Sequence, residues 1–412
     1  MLLARALANV VRTGRLAVVD ASGRRHVGEG AALGPVVSVR LHDPALHWKL
    51  LYRPRLSVPE AYMDGTLTIE EGTLYDFLEL LALNQQEGRS GLLRVGEYAA
   101  LLTRRFQQYN PVPRARRNVA HHYDLSDQLY ELFLDRDRQY SCAYFQTPAD
   151  DLETAQLNKK RHIAAKLLLH PRHKVLDIGC GWGGLALYLA AECDVDVTGL
   201  TLSAEQHAVA QRRAAAAGLS DRVRFHLRDY REERGTYDRI VSVGMFEHVG
   251  VNHYGRFFAQ MKSMLNSDGV ALLHSIGRMD GPGSTNPWLR KYIFPGGYSP
   301  ALSEVTPAAE KARLWITDIE ILRLHYAETL RNWRARFEQN RDRIRSLYDD
   351  RFCRMWELYL TGSEIAFRRQ GHLVFQMQLA RAVDTVPLTR DYMVDWEHAH
   401  SKRADAAPDR AA

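Results

Sequence analysis

Cysteine is scarce in this sequence: there are four in 412 residues, Cys142, Cys180, Cys193 and Cys353, with no C-x-x-C pair and no zinc-ligand spacing. That scarcity excludes a disulfide framework and points to a reducing compartment. Long apolar runs are missing as well, so no segment is long enough to cross a bilayer as a helix. The opening "MLLARALANVVRTGRLAVV" is apolar but broken by Arg5, Arg12 and Arg15, leaving no secretory-type hydrophobic stretch and no obvious cleavage site. Charge of one sign is only slightly in excess, 55 Lys and Arg against 49 Asp and Glu. A net charge of +6 suits anionic surfaces without indicating nucleic acid. The chain has no internal repeat and no composition of a disordered protein. These absences leave a cytoplasmic protein that touches a membrane surface, with no nucleic-acid partner and no metal site.

What is present divides along the chain. Residues 1–105 mix short alternating stretches such as "VVSVRLH" (Val36 to His42) with an apolar-periodic segment "TLYDFLELLALN" (Thr73 to Asn84), which predicts a small α+β domain. Residues 106–120 read as a basic linker: "TRRFQQYNPVPRARRN" (Thr103 to Asn118) carries two prolines and five arginines. It is either a solvated tether or a strip facing lipid headgroups. From residue 121 to about 395 strands and helices alternate. "KVLDIG" (Lys174 to Gly179), "VDVTGLT" (Val195 to Thr201), "RVRFHLRD" (Arg222 to Asp229), "YDRIVSVG" (Tyr237 to Gly244) and "GVALLHSIG" (Gly269 to Gly277) supply strands. Between them "SAEQHAVAQRRAAAAG" predicts a helix capped by Ser203 and ended by Gly218. Such alternation gives an α/β fold with a parallel sheet covered on both faces. Thr317 to about Arg381 reads as mostly helical, and residues 396–412 as a disordered tail.

"VLDIGCGWGG" (Val175 to Gly184) sets Gly179, Gly181 and Gly183 at alternate positions between a strand and a helix. Glycines there let the backbone approach a ligand at the carboxyl edge of the sheet. Gly184 keeps the dinucleotide spacing G-x-G-x-x-G open. Asp177 before the loop, the strand ending in "GLT" and the acidic "RDY" make the arrangement resemble a class I methyltransferase that uses S-adenosyl-L-methionine, a Rossmann-like doubly wound sheet. Thr201 and Leu202 stand where many such enzymes carry a ribose-binding acid, and Gln206 lies one helical turn further on.

Further motifs narrow the resemblance: "HHYDLSDQLYELFLD", "YSCAYF", "GLTLSAEQ", "GMFEHVG", "LLHSIG", "KYIFPGGY" and "LHYAETLRNW", in that order. From about Asn118 to Tyr392 the chain resembles the cyclopropane-fatty-acyl-phospholipid synthases, relatives of the mycolic acid cyclopropane synthases. The resemblance implies that Tyr140, Ser141, Asp177, Gly179, Gly181, Gly183, Thr201, Leu202, Gln206, Tyr230 and Arg231 surround S-adenosyl-L-methionine. It also implies that Cys142, Glu247, His274, the backbone of Ile276 and Tyr326 hold a bicarbonate ion. By itself Cys142 reads equally as a small buried thiol between aromatics. Ser126, Gln128 and Leu129 depart from the family pattern and bear on lipid fit.

The implied reaction places a methyl group on a cis alkene in a membrane phospholipid, leaving a carbocation from which water must be excluded. Bicarbonate then takes a proton and the ring closes. Tyr123, Tyr140, Phe145, Phe246 and Tyr298 are candidates for aromatic faces near the cation, with core packing the alternative for each. "NPWLRKYIFPGGYSP" (Asn286 to Pro300) reads as a mobile cover or a plain surface loop. In His325 to Tyr348, Leu330, Trp333, Phe337, Ile344 and Leu347 recur at helical spacing among arginines. That face either packs inward or meets the membrane. The implied enzyme works at the inner face of the cell membrane, and the resemblance also implies a homodimer.

Overall fold

The computed structural model describes residues 7, 10–87 and 126–405. Tyr123, the 106–120 linker and the last residues of the tail lie outside them.

Four strands build the N-terminal sheet: β1 (Thr13–Val19), β2 (Arg25–Glu29), β3 (Ala32–Leu41) and β4 (Leu67–Glu71), in the order β2-β1-β3-β4. β1 and β2 form an antiparallel hairpin, and β3 runs parallel to β1. Asp20 holds the hairpin turn: its Oδ1 accepts from the Ser22 N–H, the Ser22 hydroxyl and the Arg24 N–H. Its Oδ2 lies 2.8 Å from His26 Nε2. With His47 these residues bring metal-competent atoms within 4.8 Å of one another, but the carboxylate is already committed to the turn. Two helices follow β3, α1 (Leu46–Tyr52) and α2 (Pro54–Met63). Pro54 opens α2, where a missing N–H costs nothing. α3 (Leu74–Glu87) lays Phe77 and Leu80 on the sheet as its apolar period requires.

The larger sheet has seven strands. β5 (Lys174–Ile178), β6 (Asp196–Thr201), β7 (Val223–Leu227), β8 (Tyr237–Val243) and β9 (Leu265–Arg278) run parallel; β10 (Trp315–Ile321) and β11 (His372–Ala380) complete the order β10-β11-β9-β8-β5-β6-β7. β11 is antiparallel to both β9 and β10. The helices are α4 (Asp127–Phe133), α5 (Leu152–Lys166), α6 (Gly184–Cys193), α7 (Ala204–Ala216), α8 (Tyr254–Met264), α9 (Pro287–Tyr292), α10 (Leu302–Lys311), α11 (His325–Gln339), α12 (Arg341–Leu347), α13 (Asp350–Arg369) and α14 (Asp391–Asp405). Val175, Val197, Val241 and Leu272 pack one sheet face against α5, α6 and α7. Leu176, Ile240, Ala271 and Leu273 pack the other against α8 and α10.

Thr317 to Arg381 is mostly helical as expected, through α11, α12 and α13, but strands β10 and β11 bracket those helices. β11 is buried almost throughout, so "HLVFQMQLA" carries no two-residue period to distinguish it from a buried helix. The tail from residue 396 continues as α14, where Glu397 hydrogen bonds His162. The 286–300 segment carries α9 and is tied to α2. There Trp288 Nε1 donates to Met63 Sδ, and Lys291 and Tyr292 both donate to Glu60 Oε1 at 2.7 and 2.8 Å. The inward alternative holds for His325 to Tyr348: Leu330, Trp333, Phe337 and Ile344 are fully buried, while Leu347 is exposed.

Candidate active site

After β5 the backbone turns through left-handed conformations at Gly179, Gly181 and Gly183, with φ of 85°, 53° and 83°. A Cβ at Gly179 would stand 2.8 Å from Met245 Cβ, and one at Gly183 would stand 2.6 Å from Phe225 Cζ. The loop borders a cavity lined by Tyr140, Ser141, Asp177, Gly179, Gly181, Thr201, Leu202, Gln206, Tyr230 and Arg231. Gly183 does not line it; that glycine serves the turn into α6 and its packing on β7. Ser203 caps α7 as expected, accepting from the Gln206 N–H, and the Thr201 hydroxyl donates to Gln206 Oε1 at 3.1 Å. Arg231 clamps Asp229 through two nitrogens at 2.8 and 2.7 Å. Arg138, Gln139, Trp182, Asp229, Met245 and His248 also line the cavity. Trp182 sits inside the glycine loop and Gln139 beside "YSCAYF", so proximity to a motif was the available signal.

Asp177 is buried, its Oδ2 has no hydrogen-bond partner, and burial pushes its carboxyl up to about 7. An orphaned carboxyl beside a glycine cradle fits a ligand that carries a cationic nitrogen, as the methionine part of S-adenosyl-L-methionine does. Behind it lies Lys159, a fully buried lysine that sequence reasoning missed. Its Nζ donates to Gln139 Oε1 at 2.7 Å and to Ser141 Oγ at 2.8 Å, fixing two lining residues. Burial lowers the ammonium to about 8, with Asp135 and Asp137 opposing the shift.

The second set converges on β9. Glu247, in a short turn after β8, accepts from the Ile276 N–H at 2.7 Å through Oε1, while its buried Oε2 has no partner. Burial raises this carboxyl from 4.5 to about 7. His274 lies two residues before Ile276, hence on the same face of β9, and burial holds its ring well below the usual histidine range. Cys142 and Tyr326 belong to one apolar cluster against which Ile276 packs. The Ala143 N–H donates to Thr329 Oγ1 at 3.0 Å, one helical turn from Tyr326. Burial pushes the Cys142 thiol upward, so it is a neutral group and not a thiolate nucleophile. A carboxyl that titrates near neutrality, a neutral imidazole, a thiol and a phenol suit a small oxyanion better than a covalent intermediate.

Aromatic rings wall this region. Tyr140 stacks on Trp333 at 5.2 Å and hydrogen bonds Tyr359 through the hydroxyl at 2.9 Å. Tyr326 meets Trp333 edge-on at 5.8 Å. Of the other predicted aromatics, Phe246 is packed on Tyr254 at 4.4 Å in the cluster on the opposite sheet face. The Tyr298 hydroxyl donates to Glu304. Phe145 stacks loosely on His325 at 6.4 Å. The Tyr298 N–H also donates to the Glu247 carbonyl at 2.9 Å, which keeps Tyr298 beside the second set.

A glycine loop with an orphaned acid at the carboxyl edge of a seven-stranded sheet defines a class I S-adenosyl-L-methionine-dependent methyltransferase. A family model described as mycolic acid cyclopropane synthetase matches residues 112–377. Over 351 residues the chain is 37% identical to the cyclopropane-fatty-acyl-phospholipid synthase of Escherichia coli strain K12, covering 84% of this chain and 88% of the relative. It is 42% identical over 282 residues to the tuberculostearic acid methyltransferase UfaA1 of Mycobacterium tuberculosis, covering 65% and 66%. The solved structure of mycolic acid cyclopropane synthase CmaA1 complexed with SAH and CTAB matches with a TM-score of 0.62 at 34% identity, covering 66% of this chain and 99% of that one. The chain belongs to the mycolic acid cyclopropane synthetase family and is an S-adenosyl-L-methionine-dependent C-methyltransferase.

Proposed function

We propose that this enzyme adds a methylene unit to the cis double bond of an unsaturated acyl chain in a membrane phospholipid, closing a cyclopropane ring. The observation that carries the reading is the Glu247–Ile276 contact. It leaves one buried carboxyl oxygen unpartnered on the β9 face that also bears His274, next to the aromatic cluster of Cys142 and Tyr326.

When bound, S-adenosyl-L-methionine supplies an electrophilic methyl group on a sulfonium. The alkene electron pair would form the new carbon–carbon bond as the methyl–sulfur bond breaks with its electron pair left on the now neutral sulfur, and the neighbouring alkene carbon would become cationic. The faces of Tyr140 and Trp333 stabilise positive charge without reacting with it, and their enclosure excludes water. Ring closure requires a proton to leave the added methyl so that its C–H electron pair forms the third ring bond. Glu247, His274 and Tyr326 would hold a bicarbonate ion, which would supply the base for this proton. In its protonated form the Glu247 carboxyl would donate to that ion, while the Ile276 N–H holds Glu247 in place.

Among the described residues, α1 and the start of α2 offer a surface suited to a bilayer. Trp48 and Tyr52 are 68% and 80% exposed among the exposed cations Lys49, Arg53 and Arg55. Exposed aromatic rings beside basic side chains match the interface of an anionic membrane.

The test is mass spectrometry of cis-unsaturated phospholipid vesicles incubated with protein, S-adenosyl-L-methionine and bicarbonate, followed by mild hydrogenation. A gain of one methylene that then takes up no hydrogen establishes the ring. A gain that still takes up hydrogen identifies an unsaturated methyl or methylene branch, the chemistry closer to the name of the 42% identical relative.

A further inference from the structure

His274 does not stand alone in β9. Gln376 of β11 is its directly paired residue, and Glu320 of β10 is in turn paired with Gln376. Paired residues on adjacent strands point their side chains to the same face, so Glu320, Gln376 and His274 form one row across three strands. Lys166, at the end of α5, packs over that row. Lys166, Gln376 and His274 are all 2% exposed or less.

The row is joined by hydrogen bonds. Lys166 Nζ donates to Gln376 Oε1 at 2.8 Å and also to Glu320. Gln376 Nε2 lies 3.2 Å from His274 Nδ1. Beyond Glu320 the chain continues to His162, whose Nε2 is 2.6 Å from the Glu320 carboxylate and whose Nδ1 meets Glu397 of α14.

From this geometry we infer that Lys166 and Gln376 are positioning residues that fix the tautomer of His274, placing its single ring proton on Nε2. An ammonium has donors only, so the amide must present its oxygen to Lys166. Its NH2 then has to face His274, and an NH2 donates. Nδ1 is thereby forced to accept, and the proton of a neutral ring goes to Nε2, on the side away from Gln376. A ring protonated on both nitrogens would set donor against donor. Lys159, Lys166 and His162 reinforce the neutral form electrostatically, after burial itself. The opposite environment surrounds His162, where burial alone would lower the ring but two carboxylates raise it. Although burial alone would raise the Glu320 carboxyl, hydrogen bonds from His162 and Lys166 hold it at about 2, and it anchors the Lys166 charge.

The consequence rests on the proposed role of His274 at the oxyanion. With Nε2–H the ring offers that ion a donor; with the proton on Nδ1 it would offer a lone pair and repel it. The test uses the full chain labelled with nitrogen-15 in histidine, with the His274 signals assigned by their loss in His274→Gln. Long-range proton–nitrogen correlation is expected to show Nε2–H in the native protein. In Gln376→Glu, whose carboxylate still pairs with Lys166 but accepts from Nδ1–H, it is expected to show the proton moved to Nδ1. The KM for bicarbonate should rise about tenfold to a hundredfold, the worth of one hydrogen bond to a charged group, while the affinity for S-adenosyl-L-methionine is unchanged. A native ring carrying its proton on Nδ1, or a Gln376→Glu ring that keeps Nε2–H, overturns the inference. Should Gln376→Glu fail to fold, Lys166→Met frees the amide and is expected to give mixed tautomers; an unmixed Nε2–H signal there overturns it equally. A tautomer that moves as expected with no change in bicarbonate dependence upholds the inference and removes His274 from the oxyanion site.

Discussion

Glu247 combines a fixed oxygen and an unpartnered one, and both have measurable consequences. Glu247→Gln keeps the acceptor for the Ile276 N–H but loses the acid. An amide N–H then stands where the acid O–H stood, so kcat is expected to fall by less than about tenfold, whereas Glu247→Ala removes that donor and is expected to lower kcat about tenfold to a hundredfold, the worth of one hydrogen bond to a charged group. Isothermal titration should show unchanged affinity for S-adenosyl-L-methionine, because Glu247 does not line the glycine-loop cavity. The same residue gives a pH signature. Its carboxyl is raised from 4.5 to about 7, so the folded state keeps a proton that the unfolded chain has released. Its contribution to stability therefore declines as pH rises from 4.5 to about 7 and is constant above that. Glu247→Gln lacks this titration. Denaturant melts across the window should move in the variant's favour by roughly 3 kcal/mol relative to the native protein. The motif around Glu247 was legible in sequence, whereas Lys159 was not. α5 buries Gln156, Asn158, Lys159, Lys160, Arg161, His162 and Lys166 together with its alanines, so it lacks the polar and apolar faces that betray a residue's environment. Partners from elsewhere in the chain, among them Asp137, Gln139, Ser141, Glu320, Gln376 and Glu397, make those burials tolerable.

At the scale of elements, legibility followed the locality of the signal. β5, the glycine loop and α7 with its Ser203 cap are specified by neighbours in sequence, and each forms where the residues predict. β11 is defined by pairing with β9 across a long stretch of chain and β10 by pairing with β11, and nothing local to "WITDIEI" or "HLVFQMQLA" announces those partners. The three loop glycines separate by function. Gly183→Ala must accommodate both a left-handed backbone and a Cβ pressed on Phe225, and should cost about 1–3 kcal/mol in thermal denaturation. Gly181→Ala meets no atom within 4 Å and bears only the left-handed backbone, so it should cost about 1 kcal/mol in thermal denaturation together with a loss of cofactor affinity.

At the scale of the molecule, the N-terminal domain presents Trp48 and Tyr52 to solvent on one side and binds the catalytic domain on the other. Replacing both with alanine should reduce co-sedimentation with anionic vesicles about tenfold or more, each ring contributing interfacial contact. Turnover on detergent-dispersed lipid should persist. Unchanged sedimentation would move the docking surface elsewhere.

α13 joins the two halves. Tyr62 donates to Glu357 at 3.0 Å, Arg354 to the Met63 carbonyl at 2.7 Å and Arg351 to Asp64 at 2.7 Å. Leu16, Val37, Met63 and Phe77 of the N-terminal domain belong to the same continuous apolar cluster as Trp356, Trp333 and Tyr326. The boundary visible in sequence composition is therefore not a boundary in cooperativity. Tryptophan fluorescence, which follows Trp333 and Trp356, and far-ultraviolet dichroism, which follows both sheets, should lose signal in one coincident transition. The N-terminal half completes the apolar core of the catalytic half, and a catalytic half cut away from it would be left with that core open to water.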